Sequence, residues 1–190
     1  MGVIIGPRGV ETQKEKVEGV LNWLTPKNVK EVQKFLGLVN YYRRFIKDFA
    51  KIVAPLHILV RKEQRWKWEK EQEKTFGKLK TMFTMEPVLA ILDIDKEMRV
   101  EADASDYATG GVLSTKCEDR KWRPVAFISK SLNTTERNYE IHDKEILAVI
   151  RCLEAWRHYL EGAKLEFEIW TDHKNLQYFM MSQKLNRRQA

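Results

Sequence analysis

Val100-Glu101-Ala102-Asp103-Ala104-Ser105-Asp106 leads into Gly110-Gly111-Val112-Leu113-Ser114. Apolar and polar residues alternate up to an acid, a short turn follows, and a second alternation begins. That is the pattern of two successive strands. Reading outward, residues 98–104, 109–114 and 124–129 form three strands, with a polar, charged loop at 117–123. A long helix is predicted from residue 134 or 135 to 160. Its apolar face carries Ile141, Ala148, Val149, Cys152, Leu153, Trp156 and Leu160, and Gly162 stops it. Residues 165–171 read as a fourth strand and 175–181 as a short helix. The order β-β-β-α-β-α describes an α/β layered fold with a mixed sheet.

The first half differs in kind. Val17, Val20, Leu21 and Leu24 recur at helical spacing, which predicts a helix from about residue 12 to 24 that ends at Thr25-Pro26. Asn28 with Glu31 predicts a capping box for the next helix. Val32, Phe35, Leu36 and Val39 continue it, and Phe45, Ile46, Phe49, Ile52, Val53 and Leu56 follow in the same manner. Pro55 should kink or end that segment near Ala54. Residues 66–83 form a further helix, with Trp68, Phe76, Leu79 and Phe83 on its buried side, and Pro87 closes the module. The chain therefore divides into an all-α part, 1–87, and a mixed α+β part, 88–190.

Charge follows the same division. The net charge is +7, but residues 1–87 hold 18 Lys and Arg against 10 Asp and Glu, while residues 88–190 hold 16 against 17. A positive excess confined to one module suits a polyanionic partner, the plainer alternative being a solvated basic surface. Aromatics interleaved with bases at Tyr41, Tyr42, Arg43, Arg44 and Lys47 suit a nucleic-acid backbone; equally, the rings could face the core and the bases water. With 190 residues, 43% of them hydrophobic, the chain is long enough for a substantial core. It has no apolar run long enough for a bilayer, and residues 1–10 lack the basic start and long apolar core of a signal peptide. Its two cysteines build no disulfide framework, so the interior of the cell, cytoplasm or nucleus, is the expected location.

Three acids stand in specific settings. Asp103 ends a strand, Glu145 lies on the inner side of the long helix, and Asp172 ends the fourth strand. Carboxylates converging from separate elements are what a two-metal nuclease needs, because Mg²⁺ and Mn²⁺ take oxygen ligands. Each acid also has a plain structural reading. Asp103 and Asp172 could bond their own backbone in a turn, Glu145 could pair with Lys144, and His173 could cap a helix. His142, three residues before Glu145, finds no His or Cys partner to support zinc. Gly110-Gly111 lacks the spacing of a phosphate loop and reads as a tight entry into the second strand.

The segments VEADASDYATGGVLS, RPVAFISKSLNTTERNYEIHDKEILAVI and WTDHKNLQYF resemble the ribonuclease H domain of gypsy-type long-terminal-repeat retrotransposon reverse transcriptases. LTPKNVKEVQKFLGLVNYYRRFIKDFAKIVAPL and the Trp68…Phe76…Leu79-Lys80 helix resemble the thumb-side segment that precedes it. The resemblance runs from about residue 10 to the end. It implies that Asp103, Glu145 and Asp172 are the first three members of a four-carboxylate site. Two Mg²⁺ or Mn²⁺ ions would be held there, and a water aligned for attack on the RNA strand of an RNA–DNA hybrid. Ser105 and His173 would lie on the nucleic-acid side. The family's polymerase palm has no counterpart here, so no polymerase activity is expected. Nor does any residue match the strand and acid-bearing helix that follow in the family beyond Asn186-Arg187-Arg188-Gln189-Ala190. A C-terminally truncated fold of this kind would cleave weakly. It would also leave strand 165–171 as an edge open to self-association. The alternative expectation is a catalytically inactive product of the same descent that binds nucleic acid or itself.

Overall fold

A computed structural model describes residues 2–7, 9–85 and 88–171. The expected helix 175–181, with Asp172 and His173, lies outside the described residues. The chain opens not on a helix but on a hairpin, β1 (Val3–Gly6) and β2 (Gly9–Thr12). Gly9 has φ +130°, and a Cβ there would strike the Leu89 carbonyl. This close approach lets Val10 and Leu89 exchange backbone hydrogen bonds of 2.7 and 2.9 Å. The first helix, α1 (Lys14–Leu21), is accordingly shorter than its periodicity predicted. Val20 is buried, but Leu21 and Leu24 face solvent, and Trp23 turns edge-on to Phe35 in their place.

Helix α2 (Val29–Tyr41) starts at the expected cap. Asn28 accepts from the Glu31 N–H at 3.0 Å. Glu31 reaches back one residue further than the motif requires, to the Lys27 N–H at 2.8 Å. A 3-10 turn at Arg43–Phe45 separates α2 from α3 (Phe49–Leu59). Pro55 does not end the helix, which runs on to Leu59. Phe49, Val53, Leu56 and Leu59 are buried on both sides of the proline, and this burial outweighs the hydrogen bond that proline cannot make. Helix α4 (Lys70–Thr84) begins after Trp68, whose indole N–H donates to Glu73 at 2.6 Å from the preceding segment. Phe35 and Phe76 meet at 4.7 Å in the core of this helical module, beside Leu56, Leu79 and Phe83.

The second module is a four-stranded mixed sheet in the order β5-β4-β3-β6. β3 (Met98–Ala104), β4 (Ala108–Lys116) and β5 (Trp122–Ser131) are antiparallel neighbours, as their alternation predicted. β6 (Glu168–Trp170) runs parallel to β3, with Arg99 opposite Glu168 and Glu101 opposite Trp170. It is three residues long rather than seven. Of the alternating Leu165, Phe167 and Ile169, only Phe167 packs on the core under α6, while Leu165 and Ile169 are exposed. β6 is held instead by Arg99, whose guanidinium lies between Trp170 at 3.7 Å and Trp122 at 4.1 Å.

The single long helix is two: α5 (Thr134–Arg137) and α6 (Ile141–Leu160). Arg151 of α6 donates to Glu136 at 2.7 Å and to the Thr109 hydroxyl at 3.1 Å, folding α5 back toward the sheet. Ala148, Cys152, Trp156 and Leu160 pack on Val100, Ala102 and Leu113, whereas Ile141 faces water. On the opposite face the helical module docks. Phe127 of β5 packs against the helical core, and the Ala50 N–H donates to the Ser129 hydroxyl at 3.0 Å. No helix among the described residues is long and apolar enough to cross a membrane.

Candidate nuclease site

Alternation along β3 turns Val100 and Ala102 toward α6, and therefore Glu101 and Asp103 toward the other face. Asp103 is exposed at the strand end, where it opens into a cleft of about 380 Å³ shared with Glu101, Trp170 and Thr171. Lys47 and Asp48 of the helical module form the facing wall. Asp48 takes a left-handed conformation (φ 57°). Gly110, opposite Asp103, makes room for it, since a Cβ there would stand 3.3 Å from Asp48 Oδ1.

Glu145 is 3% exposed on the turn of α6 nearest the strand ends. The Ala104 N–H donates to its Oε1 and the Thr171 hydroxyl to its Oε2, each at 3.3 Å. One donor comes from the end of β3 and the other from just past β6, so the carboxylate bridges two adjacent parallel strands. The Lys144 ammonium is buried and pairs with Asp106 at 3.0 Å, in the turn after β3. Ser105 builds that same turn: its hydroxyl donates to the Ala108 carbonyl at 3.0 Å and accepts from the Ala108 N–H at 3.1 Å. Among the described residues no three His, Cys, Asp or Glu side chains are gathered closely enough to hold a metal ion. His142 lies near Glu140 and Asp143, at 3.4 and 3.7 Å.

The basic cluster divides. Tyr41 is 56% exposed, and Arg43, Arg44 and Lys47 face water. Tyr42 is a correction: it is buried, edge-on to Phe83, with its hydroxyl donating to the Gly2 carbonyl at 3.4 Å, and offers no ring to a base. Tyr42 lies three residues past Val39 and continues the buried stripe of α2, while the arginines of the 3-10 turn that follows point out. The sequence reading missed Thr171 and Asp48, and it offered Lys144 only as a partner for Glu145. Thr171 is adjacent to Asp172, which was a usable signal. Asp48 carries none, because nothing in its neighbours announces a left-handed aspartate.

This arrangement, with an acid on β3, a buried glutamate on the covering helix and a parallel strand beside them, defines a ribonuclease H-like fold. Solved structures share it. The foamy viral protease–reverse transcriptase dRH in complex with double-stranded DNA matches 97% of this chain and 32% of its own, with TM-score 0.80 and 20% identity. The foamy viral protease–reverse transcriptase in complex with RNA/DNA hybrid matches 100% and 26%, with TM-score 0.76 and 21% identity. Residues 68–169 match the family described as the RNase H-like domain found in reverse transcriptase, and the chain belongs to that family. The transposon Tf2-3 and Tf2-4 polyproteins of Schizosaccharomyces pombe are each 42% identical to it over 176 residues. That alignment takes in 93% of this chain but 13% of each polyprotein, so the chain spans about an eighth of its relatives' length.

Proposed function

We propose that this chain binds an RNA–DNA hybrid and hydrolyses its RNA strand as a ribonuclease H. The observation that carries the reading is the buried Glu145 carboxylate, bonded at both oxygens by the chain neighbours of Asp103 and Asp172. A buried acid bonded by residues that adjoin two further acids in the sequence is costly unless a cation is to be met there. Asp103, Glu145 and Asp172 are all-oxygen donors, which fits Mg²⁺ or Mn²⁺ and not a soft metal. Two such ions, when bound, polarise the attacking water and neutralise charge on the phosphodiester. Tyr41, Arg43, Arg44 and Lys47 serve the hybrid's backbone, with Ser105 and His173 on the substrate side of the acids. In this division of labour residues 1–87 grip and residues 88–190 cut. The work is done inside the cell, in cytoplasm or nucleus, where Cys117 and Cys152 stay as free thiols.

End-labelled hybrid incubated with Mg²⁺ or Mn²⁺ tests this. Cleavage of the RNA strand alone is expected, and Asp103→Asn, Glu145→Gln or Asp172→Asn should each lower it by orders of magnitude with hybrid affinity retained. Tight binding with no cleavage under either metal would instead return a catalytically inactive nucleic-acid-binding protein of the same descent.

A further inference from the structure

Two donors of different kinds meet the Glu145 carboxylate. The Ala104 N–H is fixed by the β3–β4 ladder. The Thr171 hydroxyl, by contrast, is a side-chain donor that substitution can remove. Thr171 is half-buried and directly follows β6, which is itself anchored. Glu168 Oε2 accepts from Arg99 at 3.2 Å and from the Trp170 indole at 2.8 Å, and Trp170 stacks on the same guanidinium. The stiff χ1 of a β-branched side chain adds to this, so the hydroxyl is delivered to a set point. A glutamate has three torsions to lose, and a donor at each oxygen fixes the plane of the carboxylate more closely than a donor at one.

We infer that Thr171 is a positioning residue for Glu145, holding its carboxylate plane in the orientation in which it meets a divalent cation. The inference rests on the reading of Glu145 as a metal ligand given above. Groups that orient metal ligands typically change metal affinity or activity by about 10- to 100-fold when removed.

Thr171→Val keeps the side-chain shape and deletes the donor; Thr171→Ser keeps the donor. The full-length chain is titrated calorimetrically with Mn²⁺ alone, and cleavage of labelled hybrid is followed separately. Thr171→Val should weaken Mn²⁺ binding and lower kcat by about 10- to 100-fold with KM for hybrid unchanged, while Thr171→Ser stays within about threefold of the parent. A Thr171→Val chain with parental Mn²⁺ affinity and kcat would overturn the inference, as would a Thr171→Ser chain that falls as far as Thr171→Val. Glu145→Gln separates the two levels. If it keeps parental Mn²⁺ binding and cleavage, the assignment of Glu145 itself is wrong, whatever Thr171 does. If it loses both while Thr171→Val loses neither, the assignment stands and only the positioning role fails.

Discussion

A methyl group at Gly111 would collide with Cys152 Sγ and lie 3.1 Å from the Glu101 carbonyl and 3.2 Å from Ile128 Cγ2. Backbone cannot retreat cheaply, so Gly111→Ala is expected to cost about 1–3 kcal/mol in urea unfolding. Adding Cys152→Ala should recover part of that loss; strict additivity of the two changes would show that the contact is not the cause. Glu136 gives a second test at this scale. Burial pushes its carboxyl up, but the N–H of Asn133 and the guanidinium of Arg151 outweigh it and hold the group below the ordinary 4.5. A carboxyl depressed on folding adds stability above its unfolded pKa, and that stability is lost as pH falls through the folded value. The chain should therefore lose stability below about pH 4.5, and Glu136→Gln should flatten that acid limb of the urea midpoints. Residues of this kind differ in how far sequence betrays them. Asp103 and Glu145 stood out because acids inside apolar patterns are costly. Thr171 did not, because a hydroxyl's partner is set by elements distant in the chain; Tyr42, three residues past Val39, was legible from the helical spacing of α2 alone.

Where a cap is written into neighbouring residues, elements were legible. Asn28 and Glu31 fix the start of α2, and Asn28→Ala should cost about 1 kcal/mol, a fall of roughly 2–4 °C in Tm, with Asn28→Asp close to the parent. Strands β3 to β5 were legible for the same local reason, since their alternation is that of a sheet with one face on α6. Elements whose limits depend on remote partners were not. Pro55 sits inside α3 because the core grips both flanks. The break before α6 goes with the pairing of Arg151, nearly three turns into α6, with Glu136, which draws α5 toward the sheet. The β1–β2 hairpin needs Leu89 against Gly9 to make sense. The extent of β6 depends on the tryptophan–arginine stack across β3, which no periodicity in residues 165–171 encodes.

The two modules are distinct in composition, yet they share packing. Phe127 of β5 packs its side chain on the helical core, and Asp48 reaches over Gly110 into the cleft of Asp103. The basic surface is thereby held at a fixed setting from the acids, and its contribution is best measured in the intact chain. Replacing Arg43, Arg44 and Lys47 with Ala should flatten the salt dependence of hybrid binding by up to about one unit of log–log slope per lost phosphate contact. A slope equal to the parent's would move the grip elsewhere. One buried atom makes the joint between α6 and β4 observable. Burial pushes the Cys152 thiol up to about 12, so almost no reactive thiolate forms while the helix stays seated. Cys117 is only half-buried. In a thiol-labelling time course Cys117 should react promptly and Cys152 only in the rare moments when α6 lifts. The lag between the two is a clock for that opening, and it should shorten in Gly111→Ala and lengthen when hybrid is bound.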